Sequence, residues 1–256
     1  MSKSKLDGGQ RGWLMPEWPA SSWVYACTTT RGGGISEGSF ASLNLAEHVG
    51  DDVACVTENR RRLQEALHLP ATPLWLQQVH GSVVVDAAVA KPGCEADASF
   101  ATRPGIVCTV LTADCLPLLL CDGGGTRVAA VHAGWRGLLA GVVENGVRAM
   151  QRPGAQLLAW LGPAIGPEAF EVGEEVRDAF IAEDPHATVA FSPSPGGRWL
   201  ADIYLLARQR LARMQVTAVY GGHWCTVNDA ARFYSYRRDG ETGRMASLIW
   251  LDAQRR

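Results

Sequence analysis

Apolar residues fall along this chain with two periods. Behind Asp52, the residues Val53, Val56, Leu63 and Leu67 recur near the 3.6-residue helical spacing and Pro70 stops the pattern, which predicts a helix capped by Asp52. From Ile106 to Cys121 the run IVCTVLTADCLPLLLC is almost wholly apolar, as strands covered on both faces require. Asp114 and Pro117 interrupt it, and Pro117 cannot donate to a ladder. The GGGT at 123–126 predicts a turn, and RVAAVH at 127–132 the return strand of a hairpin. Leu139, Val142, Val143, Val147 and Met150 then form one helical stripe, closed by Pro153.

The same types of element follow. AWLG near 159 and TAVYGGHW near 217 predict strands; EEVRDAFI near 174 and ADIYLLARQRLARM near 201 predict helices, the second capped by Asp202. The fold class is therefore α/β (α+β), and the direct glycine hairpin makes at least part of its sheet antiparallel, giving one layered domain with a mixed sheet flanked by helices. SPSPGGR at 192–198 predicts a loop. The expected organisation is a loose polar segment over 1–20, opening on MSKSKLDGGQRG, and a single catalytic domain over 21–256.

Composition narrows the partners. A chain of 256 residues, 47% hydrophobic, can bury a large core. A net charge of −2 with interspersed signs provides no footprint for nucleic acid or an anionic membrane, so small molecules are the expected partners of a monomer or weak homo-oligomer. No apolar h-region follows the N-terminal cations and no apolar run reaches membrane-spanning length. The seven cysteines, an odd number, then read as reduced thiols of a cytoplasmic protein.

The hairpin carries the chemistry. A turn at 123–126 pairs positions whose numbers sum to 249, which sets His132 opposite Pro117 and makes Cys115 its diagonal neighbour, with Cα atoms roughly 7–8 Å apart. A one-residue change in loop length would separate the two onto opposite faces. Such a pair serves as an imidazole-activated nucleophile, as two ligands of a metal, or as a buried thiol beside a hydrogen-bonded histidine. Asp114 inside the apolar run needs a partner, because an unpaired buried charge is costly. Trp135 and Arg136, in HAGWRG, offer a flat apolar surface and a cationic fork suited to a ring and an anion. A third group, His80, closes WLQQVHG.

Together QQVHG at 77–81, TADCLPLLL at 112–120 and VHAGWRG at 131–137 resemble the YfiH-like family, catalogued as multicopper polyphenol oxidases or laccase-domain proteins. TTTRGGGISEG at 28–38, SLNL at 42–45, HVGDD at 48–52, LGPAIGP at 161–167 and FYSYRRDGETGRMA at 233–246 extend the likeness. The resemblance implies a zinc or copper ion on His80, Cys115 and His132, within a single α/β domain similar to the catalytic fold of a bacterial cysteine deamidase toxin. Two departures leave those ligands untouched: ADASF at 96–100 stands where the family often has ADALVT, and Glu168 where many members carry cysteine.

The resemblance also implies phosphorolysis of adenosine, inosine and S-methyl-5′-thioadenosine, the purine nucleoside phosphorylase type, with adenosine deaminase activity. Three protein ligands leave zinc an open position for such work. Arg136 and Arg31 are candidates for phosphate, Asn44 for a base or sugar edge, and Asp114 for orienting a ligand or accepting a proton. A blue-copper oxidase needs many histidines, often as His-x-His pairs, whereas this chain has six, at 48, 68, 80, 132, 186 and 223, and no such pair. Copper-dependent phenol oxidation is thus at most a side activity. A cytidine-deaminase zinc site is excluded by the lack of any C-x-x-C spacing. The family's other chemistry is a cysteine hydrolase, with Cys115 as nucleophile and His132 as base, editing a misincorporated amino acid from a peptidoglycan precursor. A structural metal in a binding module would call for a fourth protein ligand.

Overall fold

A computed structural model describes residues 12–252. In chain order its principal elements are β1 (Val24–Thr28), α1 (Val53–Ala66), β2 (Val84–Asp86), β3 (Ala98–Ala101), β4 (Val107–Thr112), β5 (Leu116–Asp122), β6 (Val128–Ala133), α2 (Trp135–Leu139) and α3 (Val142–Ala149). Then come β7 (Leu157–Leu161), β8 (Glu171–Val172), α4 (Glu174–Glu183), β9 (Phe191–Ser194), β10 (Arg198–Ala201), α5 (Ile203–Arg213), β11 (Ala218–Gly221), α6 (Tyr236–Asp239) and β12 (Met245–Leu251).

Six strands form a mixed sheet in the order β11-β7-β5-β6-β3-β2, and three form an antiparallel sheet in the order β1-β12-β4. The two sheets pack face to face: Leu119, Cys121, Val128, Ala130 and Trp160 of the large sheet share one core with Val24, Val110 and Ile249 of the small one. The other face of the large sheet, with Leu118, Leu120 and Val131, packs on α3, α4 and α5. The outer face of the small sheet, with Cys27, Leu111 and Leu248, is covered by α1 through Leu63 and Leu67. The order helix, sheet, sheet, helices is one layered α/β domain. Strands β5 and β6 are buried on both faces, which is why their sequences are continuous apolar runs and not alternating ones.

The hairpin register is the one the sequence predicts: Pro117 faces His132, and Leu118 to Cys121 pair with Val131 to Val128. The Asp122 carboxylate fixes the turn by accepting from the Thr126 and Arg127 N–H groups and the Thr126 hydroxyl. Asp52 caps α1 by accepting from Ala54 N at 2.8 Å, and Asp202 caps α5 by accepting from Leu205 N at 2.9 Å.

One expectation needs correction. SPSPGGR is not a loop: it supplies the end of β9, a turn and the start of β10, antiparallel strands in a sheet ordered β8-β10-β9. Pro193 sits on the edge strand β9, where no N–H is needed for a second neighbour, and Pro195 opens the turn. Residues 1–11 of the segment expected to be loose over 1–20 lie outside the described residues. Trp13 is buried, and Leu14 bridges Thr28 through two backbone hydrogen bonds, because the polar stretch ends there and apolar side chains begin. No helix among the described residues is long and apolar enough to cross a membrane.

Candidate metal centre

The interrupted apolar run from Ile106 to Cys121 forms two strands. Strand β4 ends at Thr112 in the small sheet, β5 begins at Leu116 in the large one, and the short turn between them carries Asp114 and Cys115. Asp114 has φ 86°, a left-handed conformation that asparagine and aspartate tolerate better than most residues. Its backbone carbonyl accepts from Ile165 N at 2.9 Å, while its carboxylate accepts from the Thr226 hydroxyl and from Arg237 N at 2.7 Å. Asp114 therefore pins the turn that presents Cys115; those bonds tie its carboxylate to the Thr226 and Arg237 segments.

Cys115 and His132 lie on the face of β5 and β6 that meets the small sheet, at its open end. His80 reaches them from the loop before β2. The ligand atoms of His80, Cys115 and His132 all lie within 4.8 Å of one another. Cys115 Sγ is 3.7 Å from His80 Nε2, and the two imidazole rings meet edge to face at 4.8 Å. Among the described residues this is the one such cluster of three or more histidine, cysteine or acidic side chains. Gly134 must be a glycine, since a Cβ there would come 2.8 Å from His80 Cδ2 and 3.0 Å from Cys115 Sγ.

Asp97, in the ADASF segment, organises the cluster and was not singled out from the sequence. Its carboxylate accepts from His132 Nδ1 at 2.8 Å, from His80 N at 2.9 Å and from Gly81 N at 2.6 Å, and its carbonyl accepts from His132 N at 2.7 Å. His80 has φ 59°, so these bonds hold a left-handed turn that the residue would otherwise disfavour. With Nδ1 given to Asp97, His132 keeps Nε2 for the cluster, the arrangement that orients a metal-binding imidazole. Burial pushes the Asp97 carboxyl up, but His132 and the two backbone N–H groups outweigh it and hold the group below its usual value. Burial likewise pushes the Cys115 thiol up, and the His132 and His80 imidazoles reverse this to favour thiolate. His132 is pulled down by burial and raised further by the Cys115 sulfur and Asp97. A thiolate and two imidazoles, with the pocket on their open side, form a donor set that fits zinc or copper.

The pocket over the cluster has a volume of about 240 Å³, and His48, Tyr236 and Arg244 also line it. Arg244 was likewise missed. It is half-buried, and its Nη1 donates to the carbonyls of Thr242 and Gly243 while Nε and Nη2 have no hydrogen-bond partner among the described residues.

The other residues singled out from the sequence do not line this pocket. Arg136 is exposed, on the first turn of α2, with its guanidinium 4.3 Å over the Trp135 ring. Trp135 itself packs against the core beneath the helices. Arg31 spends Nε and Nη1 on the carbonyls of Ala41 and Ala230. Asn44 is fully buried and binds its own turn at Ala46, though its Oδ1 also accepts from Arg244 N at 2.9 Å and so helps to place that arginine.

Fold and cluster define a class: a layered α/β protein with one thiolate-imidazole centre at the mouth between two sheets. The chain belongs to the multi-copper polyphenol oxidoreductase laccase family, whose sequence profile matches residues 25–252. It is 60% identical over 240 residues to the purine nucleoside phosphorylase PA4543 of Pseudomonas aeruginosa, covering 93% of this chain and 98% of that one. It is 53% identical to the purine nucleoside phosphorylase YfiH of Escherichia coli, with the same coverage. The crystal structure of Neisseria meningitidis protein NMB0706 superposes with a TM-score of 0.91 at 51% identity, covering 94% of this chain and 99% of that one. YlmD from Geobacillus stearothermophilus superposes with a TM-score of 0.88 at 30% identity, covering 94% and 96%.

Proposed function

We propose that this chain is a metal-dependent purine nucleoside phosphorylase of the cytoplasm, acting on adenosine, inosine and S-methyl-5′-thioadenosine, and that it also deaminates adenosine hydrolytically. The observation that carries the reading is the convergence of His80, Cys115 and His132, braced by Asp97, under a pocket that also holds a half-buried arginine. The names of the relatives at 60% and 53% identity support the same activity. Zinc is the preferred ion, with copper and weak phenol oxidation as a side activity, because three ligands and one centre suit a Lewis acid better than a multicopper electron path.

Phosphorolysis joins a phosphate oxygen to the ribose C1′ as the bond to the purine nitrogen breaks. The protein has to hold phosphate against the sugar while excluding competing nucleophiles. We assign the phosphate to Arg244, with Arg136 and Arg31 outside the reaction, because Arg244 lines the pocket and retains two guanidinium nitrogens for an anion. A bound zinc ion supplies Lewis acidity beside the substrate. Cys115 and the two histidines hold that centre, Asp97 fixes the His132 tautomer, and Asp114 fixes the turn beneath Cys115.

One feature favours a second reading. Cys115, His132 and Asp97 stand in the order nucleophile, base and orienting carboxylate, with the thiol biased towards thiolate. Without a metal, this is the machinery of a cysteine hydrolase, which would cleave an amide such as that of a peptidoglycan precursor. The test is a turnover screen of adenosine, inosine and S-methyl-5′-thioadenosine with and without phosphate, on protein whose metal content is measured as purified. Phosphate-dependent release of free base is expected; release of none from any of the three would refute the phosphorylase reading.

A further inference from the structure

The cavity over the cluster, at about 240 Å³, falls below the ~300–1,000 Å³ usual for a small-molecule site. It is not closed. His48, Gln78 and Leu111 line it and also line a neighbouring cavity of about 720 Å³, so the two adjoin along a shared wall. A purine nucleoside reacts at C1′, between sugar and base. With the sugar and phosphate over the cluster, its base projects away from the reacting atom and needs the second compartment.

The wall of that compartment contains an ordered flat layer. Arg60 lies with Cζ 4.2 Å over the centroid of the Trp75 ring, and both residues line the cavity. The guanidinium is tethered at two points: Nε donates to Leu45 O at 3.0 Å and Nη1 to the Glu47 carboxylate. Trp75 packs in turn against the core under α1. A planar cation fixed on an indole forms a rigid π surface, and such surfaces hold nucleobases by stacking. Gln78, at the junction, is unavailable to read a base, because its amide is spent on both backbone groups of Leu111, at 2.8 and 2.7 Å. The polar groups left to meet a base edge are Gln77, His48 and the Glu47 carboxylate. The latter accepts a hydrogen bond, which the N6 amino group of adenine and the N1–H of hypoxanthine can both donate.

We propose that the Trp75 and Arg60 layer, with Glu47 at its edge, is the purine-base subsite of this enzyme. The proposal rests on the nucleoside reading of the metal centre. It is tested with a probe that needs neither metal nor turnover: adenine as free base, titrated calorimetrically into protein stripped of metal. Wild type should bind it, and Trp75→Leu and Arg60→Lys should each weaken binding by about 10-fold, the loss of one stacking contact. Arg60→Lys guards against misfolding, since it keeps the charge and removes only the plane; thermal unfolding midpoints close to wild type establish that each variant is folded. In the metal-loaded enzyme the same changes should raise KM for adenosine and inosine together.

Folded variants that bind adenine as wild type does would overturn the subsite, whatever the enzyme turns over. Adenine binding that depends on Trp75 and Arg60 in a protein that turns over no nucleoside would instead sustain the subsite and refute the phosphorylase reading.

Discussion

Asp97 accepts a hydrogen bond from His132 Nδ1 at 2.8 Å, and the same carboxylate holds the backbone of the loop that carries His80. One buried side chain thus fixes the tautomer of one imidazole and the position of the other, although the two histidines are 52 positions apart in the sequence. Asp97→Asn should break this arrangement, because an amide offers one acceptor oxygen where four donors, from Val79 N, His80 N, Gly81 N and His132 Nδ1, now converge on two. Metal affinity should fall 10–100-fold, as when the outer hydrogen-bond partner of a ligating imidazole is removed. Stability should fall by about 1–3 kcal/mol, the cost of orphaning a buried donor. A competition titration against a chromophoric chelator, with thermal unfolding alongside, measures both. Unchanged metal affinity would show that His132 and His80 are held by something else.

The two arginines of interest have opposite surroundings. Arg244 lines the reaction cavity, whereas Arg136 lies on the surface against Trp135. Lysine in place of Arg244 removes a bidentate fork and leaves a point charge, so phosphorolysis should fall by about 10–100-fold, with a rise in KM for phosphate. Adenosine deamination consumes no phosphate and should fall less. Arg136→Lys should leave both reactions within about two-fold of wild type. If Arg136→Lys proves the more damaging, phosphate is bound at α2 after all.

A stability prediction comes from the hairpin turn that sets the Cys115 and His132 register. Burial pushes the Asp122 carboxyl up, but hydrogen bonds from Thr126 and Arg127, with Arg152 nearby, hold it below the usual carboxylate value. A carboxylate depressed in the folded state stabilises above its unfolded pKa of about 3.9, and the contribution disappears as the pH falls through the lower folded value. Asp122→Ala should therefore be less stable than wild type at pH 7 by about 1–3 kcal/mol. The gap between the two should narrow below about pH 4. Denaturant unfolding at pH 7 and pH 3 checks this; a gap of the same size at both would mean that ionisation of Asp122 does not contribute.

The backbone plan of the site could be read from the sequence because it rests on local rules. The glycine turn fixed the pairing sum, the pairing put His132 against Pro117, and the two-residue offset to Cys115 followed. Asp97 escaped because nothing in ADASF distinguishes a carboxylate that ties two distant segments together from one capping a turn; its partners come from the 79–81 loop and from the next strand in the sheet. Arg244 is one of four arginines between residues 232 and 244, and only the packing of β12 beside β4 brings that one to the cavity. Arg136 drew attention through its place beside a ligand-bearing segment. The strand ends and α2 begins just past Gly134, and Arg136 lies exposed there over Trp135, so proximity in sequence to His132 did not become proximity to the site.

The central claim is that His80, Cys115 and His132 work as metal ligands and not as a thiol nucleophile with its base. Stripping the metal separates these directly, since chelation removes the Lewis acid but frees Cys115 as a thiolate between two imidazoles. The decisive measurement is phosphate-dependent nucleoside turnover by protein shown to be metal-free by elemental analysis, before and after zinc is returned. The account predicts loss of turnover on stripping and its recovery with one equivalent of zinc. Turnover that persists in demonstrably metal-free protein, together with its abolition by iodoacetamide, would contradict it.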